Sequence, residues 1–490
     1  MFDLAETMLP ALPTSDVPAT RRPLCVDLDG TLVKSDTLHD SLIALLRSDP
    51  VQMLRLPLKV LKGKAAFKSF VTDSVVLDVV HLPYNGKLLE YLRAEHAKGR
   101  LLYLATGADT RLAERVAQYL GIFDGVLGSD GRTNLTGNNK LARLRSHFDS
   151  GEFDYIGNAT ADLPLLQQSQ EPMVANPTAG LNRKLRNSRI RASRTFVDRR
   201  PLGASMVRAL RVHQWAKNVL LFVPLLLSHR VNLSSFGTAC LAFLCFSFCA
   251  SGTYVLNDLL DMDSDRRHPR KQRRPFAAGD LSVVQGVLMA AGLLAVGVAG
   301  ASILPAAFYG WLLLYLALTV TYSSVLKQIA LVDVLVLSGL YTLRLLAGSA
   351  ASQTPISHWL AGFSVFLFLS LAFVKRFAEL EGLRDRGAQP RNGRAYRLSD
   401  LPQLRSFGTA SAYAAVVVFA IYITGQDVSL LYHHAERLWM VVPFMILWLS
   451  RVWLLASRGE LNEDPVIFAM TDRMSLLIGA AVAVIVLLAV

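Results

Sequence analysis

Residues Tyr254–Asp280 read YVLNDLLDMDSDRRHPRKQRRPFAAGD. An apolar run long enough to cross a bilayer leads into this stretch. Four acids follow, Asp258, Asp261, Asp263 and Asp265, and six bases lie within the next nine residues. Charges of both signs packed at the mouth of a hydrophobic helix are costly unless a ligand uses them. If the helix continues through the acids, Asp258, Asp261 and Asp265 fall at i, i+3 and i+7, three carboxylates on one face. Like charges so placed repel unless a cation joins them. Oxygen-only donors at this density suit Mg2+, commonly held by one or two carboxylates plus substrate phosphates. The Arg and Lys residues that follow would face the same phosphates. The plainer alternative is a solvated helix end.

Outward from this stretch the chain divides into unlike halves. A length of 490 residues calls for at least two domains. Residues 1–200 mix apolar and charged side chains. From about Val207 the chain becomes a series of apolar runs, each roughly the 20 residues needed to cross a bilayer. Nine spans are expected, at about 214–231, 234–257, 282–302, 305–326, 331–350, 357–376, 407–425, 437–456 and 473–490. Pro224 lies inside the first, which a membrane helix tolerates. The net charge of +13 alone would suit nucleic acid, but many of the bases sit in short loops between apolar runs. That pattern belongs to loops facing anionic lipid and anionic substrates, so no nucleic-acid partner is expected. The positive-inside rule puts the large charged loops, 257–281 and 375–406, on the cytoplasmic side with the soluble half. Only Arg230 and Arg437 fall in the loops outside. The expected location is a multi-pass plasma or inner-membrane protein. Cys25, Cys240, Cys245 and Cys249 show no metal-type spacing and read as small buried hydrophobes. The N-terminal MFDLAETMLPALPTSDVPATRR reads as a short polar leader rather than a signal peptide.

The region 205–490 resembles the UbiA superfamily of intramembrane prenyltransferases. The likeness rests on nine spans, NDxxDxxxD after span two, DRRHPRKQRRP behind it, and YSSVLK (Tyr322 to Lys327) after span four. The resemblance implies that Asn257, Asp258, Asp261 and Asp265 hold Mg2+ and a diphosphate, with Asp258 and Asp261 central to catalysis. Arg266, Lys271 and Arg274 would then cover the diphosphate, and His268-Pro269 would turn the chain over the site. One departure matters. Relatives acting on aromatic acids usually carry a second acidic motif after span six, whereas here FVKRFAELEG places Lys375 and Arg376 there. Cations suit a bare phosphate on the second substrate.

The opening of span one, RVHQWAKNVLLFVPLL, and the segment LVDVLVLSGLYTLRLLAGSAAS, with Asp333 and Arg344, are similar to the decaprenyl-phosphate phosphoribosyltransferase branch. That likeness implies phosphoribosyl diphosphate as donor and a polyprenyl phosphate as acceptor. Lys217, Asn218, Tyr322, Lys327, Arg344, Lys375 and Arg376 are the candidate substrate-binding residues. Arg344 lies inside an apolar span, where an unpaired charge is expensive and function is the default reading. For Lys217 and Lys375, snorkelling at a helix end is the alternative.

In the soluble half, the apolar run Leu24 to Val26 leads into DLDGT, placing two acids near a sharp turn at Gly30. LLYLATGAD, Lys140 in TGNNKLARL and FDYIGNATAD follow in order. This set resembles the haloacid dehalogenase superfamily, which implies an α/β Rossmann-like domain over about 20–195 with a helical cap at about 36–98. The implied roles are Asp27 as nucleophile, Asp29 as general acid and base, Thr106 and Lys140 on the phosphoryl oxygens, and Asn158 and Asp162 joining Asp27 and Asp29 at Mg2+. Asn158 stands where that family usually has an acid, which leaves open a catalytically silent docking or sensing domain. The insert carries Arg47, Arg55, Lys59, Lys62, Lys64 and Lys68 beside apolar residues, which suits a cap, a face lying on the inner leaflet, or both. The expected protein is thus bifunctional: an all-α transferase of about nine helices fused to a phosphatase that removes a 5-phosphate from the lipid product. A transferase using prenyl diphosphate and an aromatic or other acceptor is the alternative.

Overall fold

In the computed structural model the described residues are 22–53, 56–61, 63–148, 151–229, 231–384, 395–461 and 464–490. The N-terminal leader, Arg55, Lys62, Arg230 and the middle of the second cationic loop lie outside them. The chain forms two compact units, Met1–Ser205 with Leu259–Val284, and Met206–Asp258 with Gln285–Val490. The division falls inside the acidic motif, so each unit is described by itself.

The first unit is built on six parallel strands in the order β3-β2-β1-β4-β5-β6. They are β1 (Leu24–Val26), β2 (Leu102–Asp109), β3 (Gly125–Ser129), β4 (Asp154–Gly157), β5 (Pro172–Ala175) and β6 (Arg194–Phe196). Helices cover both faces, so Leu24, Cys25 and Val26 of β1 are wholly buried. One core packs Val26, Leu104 and Ile156 with Leu88 and Leu92 of helix Gly86–Ala97, and a second packs Cys25, Ala105 and Tyr155 with Leu144 and Leu165. The sequence order turns back at β1, which pairs with β2 on one side and β4 on the other. In open α/β sheets the crevice beyond the carboxyl ends at such a point takes the ligand.

Helix Thr37–Ser48 starts where Asp36 accepts from the Leu38 and His39 amides, and helix Thr110–Leu120 ends at Gly121 with φ 64°. Within the expected cap, Leu45, Leu56 and Val71 close a small core of their own. Helix Gly86–Ala97 instead belongs to the sheet's own layer.

Among the described residues of the whole chain, seven helices are long and apolar enough to cross a membrane, and an eighth crossing is counted if a bent pair is one span. The seven are Leu233–Leu260, Val283–Ala301, Ala306–Ser324, Val332–Ser352, His358–Arg384, Leu398–Ile423 and Ala435–Ser457; Pro465–Thr471 and Arg473–Ala489 form the pair, bent by 78°. The expected count of about nine holds as an approximation. The expected first span is a tight 3-10 segment, Val212–Phe222, followed by the short helix Val223–Leu227, with Pro224 in its first turn. Lys217 and Asn218 are buried there, and polar partners rather than lipid organise that stretch. Ala306–Ser324 and Val283–Ala301 turn Leu288, Val296, Leu313 and Val320 outward. Val332–Ser352 buries Asp333 and Arg344, and His358–Arg384 buries Arg376. Charge thus collects on the inner helices of the bundle, as expected where outward faces meet hydrocarbon.

Candidate active sites

At the sheet's carboxyl edge, Asp27 follows β1 directly, Thr106 lies in β2 and Asn158 follows β4. All three are buried. Lys140, on helix Asn138–His147, donates to Asp27 Oδ1 at 2.9 Å and to the Tyr155 hydroxyl at 2.8 Å, and lies 3.6 Å from Asp162 Oδ1. Asp29 Oδ1 accepts from the Thr37 amide at 2.8 Å. Thr106 Oγ1 accepts from the Ala108 amide at 3.0 Å. Gly30 turns the motif with φ +72°, and a Cβ there would stand 2.0 Å from Asn158 Nδ2, so the loop and the Asn158 amide require glycine. Burial pushes the Asp27 carboxyl up to about 6, against the pull of Lys140. Burial, with the charge of Asp36, pushes Asp29 up to about 7. An acid raised that far is poised both to give and to take a proton near neutrality.

Asp27 and Asn158 offer hard oxygens at the ends of adjacent strands, which fits Mg2+. Asp162 is already engaged: its Oδ2 accepts from the Asn158 and Ala159 amides at 3.1 and 2.9 Å, and its Oδ1 from Tyr155 at 2.9 Å. Its place is to shape the Asn158 loop. Among the described residues no group of three or more His, Cys, Asp or Glu side chains is arranged to hold a metal. The cap contributes a residue whose placement only the fold shows. Lys68 donates to the Gly107 carbonyl at 2.5 Å and to Asn134 Oδ1 at 2.9 Å, and lines a crevice with Asp29, Asp36, Thr37 and Asp109.

The NDxxDxxxD motif spans a break in its helix. Its helix ends at Leu260, where Arg47 donates to the Leu260 carbonyl at 3.3 Å, and a new short helix, Met262–Arg266, begins after Asp261. Asp261 Oδ1 lies 3.5 Å from Arg47, and Asp265 accepts from Arg274 at 2.7 Å. Arg266 is buried and donates to Asp40 Oδ2 at 2.9 Å and Ser35 Oγ at 3.2 Å. In this state its charge is spent holding the motif loop rather than facing a diphosphate. Lys271 stands on an exposed turn, Lys271–Arg273.

In the second unit, the QW-x-KN segment folds onto the polar stripe of helix Leu233–Leu260. Arg211 pairs with Asp258, Trp215 Nε1 donates to Ser251 Oγ at 2.9 Å, and Asn218 Nδ2 donates to Ser247 Oγ at 2.9 Å. Asn257 lies one residue before Asp258 on the same helix. Arg344 Nε donates to Asn218 Oδ1 at 2.9 Å, and its guanidinium sits 5.0 to 5.5 Å from the ring centres of Tyr315, Phe246 and Tyr341. Among the described residues Arg344 makes no ion pair; aromatic faces and neutral acceptors carry its charge.

Lys217 and Lys375 converge on one carboxylate. Asp464 Oδ2 accepts from them at 2.7 and 3.0 Å, and Asp464 Oδ1 accepts from Tyr341 at 3.3 Å. Lys217 and Arg344 both lie over the Tyr341 ring, at 5.7 and 5.5 Å, and Lys375 joins them through Asp464. Arg376 belongs to a different group. It forks onto Asp333 and also donates to Tyr322 at 2.9 Å and Glu379 at 2.6 Å. Its donors are taken, and it orders the helices rather than facing the cluster. Lys327 lies on the turn Leu326–Gln328.

Asp464, Tyr341, Tyr315 and Arg211 escaped sequence reasoning. The one local signal for Asp464 was Asp before Pro465, which marks a helix start, and Asp464 indeed caps Pro465–Thr471.

Residues 219–485 match the UbiA prenyltransferase family, and residues 24–167 match the haloacid dehalogenase-like hydrolases. The chain belongs to the UbiA prenyltransferase family and carries a haloacid dehalogenase-like domain at its N-terminal side; it is an integral membrane protein. It is 37% identical over 468 residues to the uncharacterized protein y4nM of Sinorhizobium fredii, covering 94% of this chain and 90% of that one. Nodulation protein NoeC of Azorhizobium caulinodans is 38% identical over 285 residues, 57% of this chain and 92% of that protein. Decaprenyl-phosphate phosphoribosyltransferase of Mycobacterium tuberculosis is 32% identical over 285 residues, 57% of this chain and 92% of that enzyme.

Proposed function

We propose that the membrane unit moves a phosphoribosyl group from phosphoribosyl diphosphate to a polyprenyl phosphate. The hydrolase-like unit, placed on the cytoplasmic side, would then remove the ribose 5-phosphate. The observation that carries this reading is the cluster of Lys217 and Lys375 on Asp464 with Arg344 across the Tyr341 ring, where among the described residues Asp464 is the one acid that pairs with these cations. A surplus of cations among buried side chains suits an anionic acceptor such as a phosphate monoester. The likeness to decaprenyl-phosphate phosphoribosyltransferase supports the same choice.

In the transfer step a lipid phosphate oxygen attacks the ribose anomeric carbon, the bond from that carbon to diphosphate breaks, and diphosphate leaves with the electron pair. Mg2+, held by Asp258, Asp261 and their neighbours, would supply charge neutralisation for the leaving group. Lys217 and Lys375 would exchange Asp464 for the incoming phosphate and aim it. Arg344, fixed by Asn218 and Tyr315, would hold the same anion from a second side.

In the hydrolytic step Asp27 attacks phosphorus, and Asp29 gives its proton to the departing ribose oxygen. Asp29 then takes a proton from water, which attacks phosphorus and frees Asp27 and phosphate. Lys140 and Thr106 would hold the phosphoryl oxygens, and Asp27 and Asn158 would hold Mg2+, which when bound would supply neutralisation of phosphoryl charge.

Membranes incubated with labelled phosphoribosyl diphosphate and polyprenyl phosphate test the reading. Lipid-linked ribose, with or without its 5-phosphate, is the expected product; its absence, with labelled prenyl diphosphate consumed by a neutral acceptor instead, overturns it.

A further inference from the structure

A cavity of about 560 Å3 lies within the first unit, away from the hydrolase crevice, with which it shares no lining residue. Its walls come from separate chain segments: Lys34 after the first motif, Lys87 at the start of helix Gly86–Ala97, Arg199 and Arg200 after β6, and Arg273 in the basic run behind the NDxxDxxxD motif. Two carboxylates, Asp198 and Asp280, face Lys34, Lys87, Arg199 and Arg200. Both visible pairings are long, 3.9 Å for Lys34–Asp198 and 3.9 Å for Arg200–Asp280. Arg266 also borders the cavity, but its charge is matched by Asp40.

A second observation points to a missing anion. Arg199 Nε is buried without a hydrogen-bond partner, while its other side donates to the Lys34 carbonyl. Burial holds this guanidinium below its ordinary value, with only the charge of Asp280 opposing that. A buried donor left unmade is costly, and a bound oxyanion would satisfy it. The basic wall is also held close by design of the backbone. Gly279 has φ +71°, and a Cβ there would meet Lys34 Cβ at 2.7 Å, so the loop lies directly against the hydrolase unit. The volume falls in the range of small-ligand sites, roughly 300–1,000 Å3.

We infer that this cavity is a binding site for a phosphate-bearing anion of at least two negative charges, distinct from the hydrolase crevice. Lys34, Lys87, Arg199 and Arg200, from three segments, cannot all be matched by one singly charged oxyanion, whereas a diphosphate or a doubly ionised phosphate ester can span them. The phosphate could come from a free metabolite or from a lipid headgroup.

The test uses the full chain in neutral phosphatidylcholine nanodiscs, with Asp27→Asn, Asp258→Asn and Asp261→Asn in place and a chelator present, so that metal-dependent phosphate sites are silent. Lys87, exposed at the rim, is labelled with an amine reagent and read by mass spectrometry. In one arm inorganic diphosphate is titrated; in the other, phosphatidylglycerol is added to the disc. Saturable protection by diphosphate identifies a free ligand, and protection only in the anionic disc identifies a lipid headgroup. Arg199→Gln should weaken that protection about tenfold, the loss of one charge-assisted hydrogen bond. Arg200→Gln, at an exposed position, provides a second reading should Arg199→Gln fold poorly. No protection of Lys87 in either arm, or protection unchanged in both variants, overturns the proposal.

Discussion

In the sheet unit one lysine, Lys140, stands between Asp27 and Asp162, with Asp29 two residues on. In the helical bundle one aspartate, Asp464, stands between Lys217 and Lys375, with Arg344 across the Tyr341 ring. The two centres are charge images of each other. The first is short of positive charge, so it suits a metal ion arriving with a phosphate. The second is short of negative charge, so it suits a phosphate arriving without a metal. Each surplus persists because the fold buries it, where charge is expensive unless used.

The comparison breaks most sharply at Asp27. Asp27→Asn should cut phosphatase turnover by about 10^3-fold or more, as loss of a nucleophile does, while leaving transfer intact. The phosphorylated lipid should then accumulate in membrane extracts; unchanged dephosphorylation would end the claim.

Next in size is Arg376. Arg376→Ala strands a wholly buried Asp333, and removal of one partner from a buried pair costs ~3–5 kcal/mol. The detergent-solubilised protein should unfold at markedly lower temperature. By contrast Lys217→Met should chiefly raise the KM for polyprenyl phosphate, by roughly 10- to 100-fold for one charge-assisted contact of ~1.5–3 kcal/mol. A KM unchanged in Lys217→Met would place the acceptor elsewhere.

A smaller effect concerns pH. The Asp27 carboxyl, raised to about 6, is protonated below that value and ionised above it. Metal binding needs the ionised form and releases the proton. Apparent Mg2+ affinity of the first unit, measured by calorimetry in an Asp258→Asn, Asp261→Asn background, should therefore rise with pH through about 6 and then level off. A flat profile would separate Asp27 from the metal. The smallest effect is expected at Arg47, a half-exposed partner of Asp261. Arg47→Gln should cost under ~1 kcal/mol of stability, seen as a slight shift in thermal unfolding.

Much of this was legible locally. DLDGT, Thr106 and Asn158 sit close to the strand ends that their flanking patterns imply, and Lys140 lies in the first turn of helix Asn138–His147, because alternation of apolar strands and helices encodes a parallel sheet in short windows. Apolar runs marked most of the spans. The first span failed because hydropathy cannot see that Lys217, Asn218 and Trp215 find partners on other helices. The helix break at Leu260 was not legible because Arg47, over two hundred residues earlier in the chain, meets its last carbonyl.

By itself, then, the amino-acid order determined the two folds, the acidic motifs and the excess of cations where a second acid cluster was expected. Those are properties of short windows, set by periodicity and by the cost of charge beside hydrocarbon. Which cations share an anion site, and which are already spent, only the tertiary structure decided. Arg376 and Lys375 are adjacent in sequence, yet one is saturated by Asp333 while the other meets Lys217 at Asp464. Successive residues on a helix point about 100° apart, so neighbours in the chain face different partners.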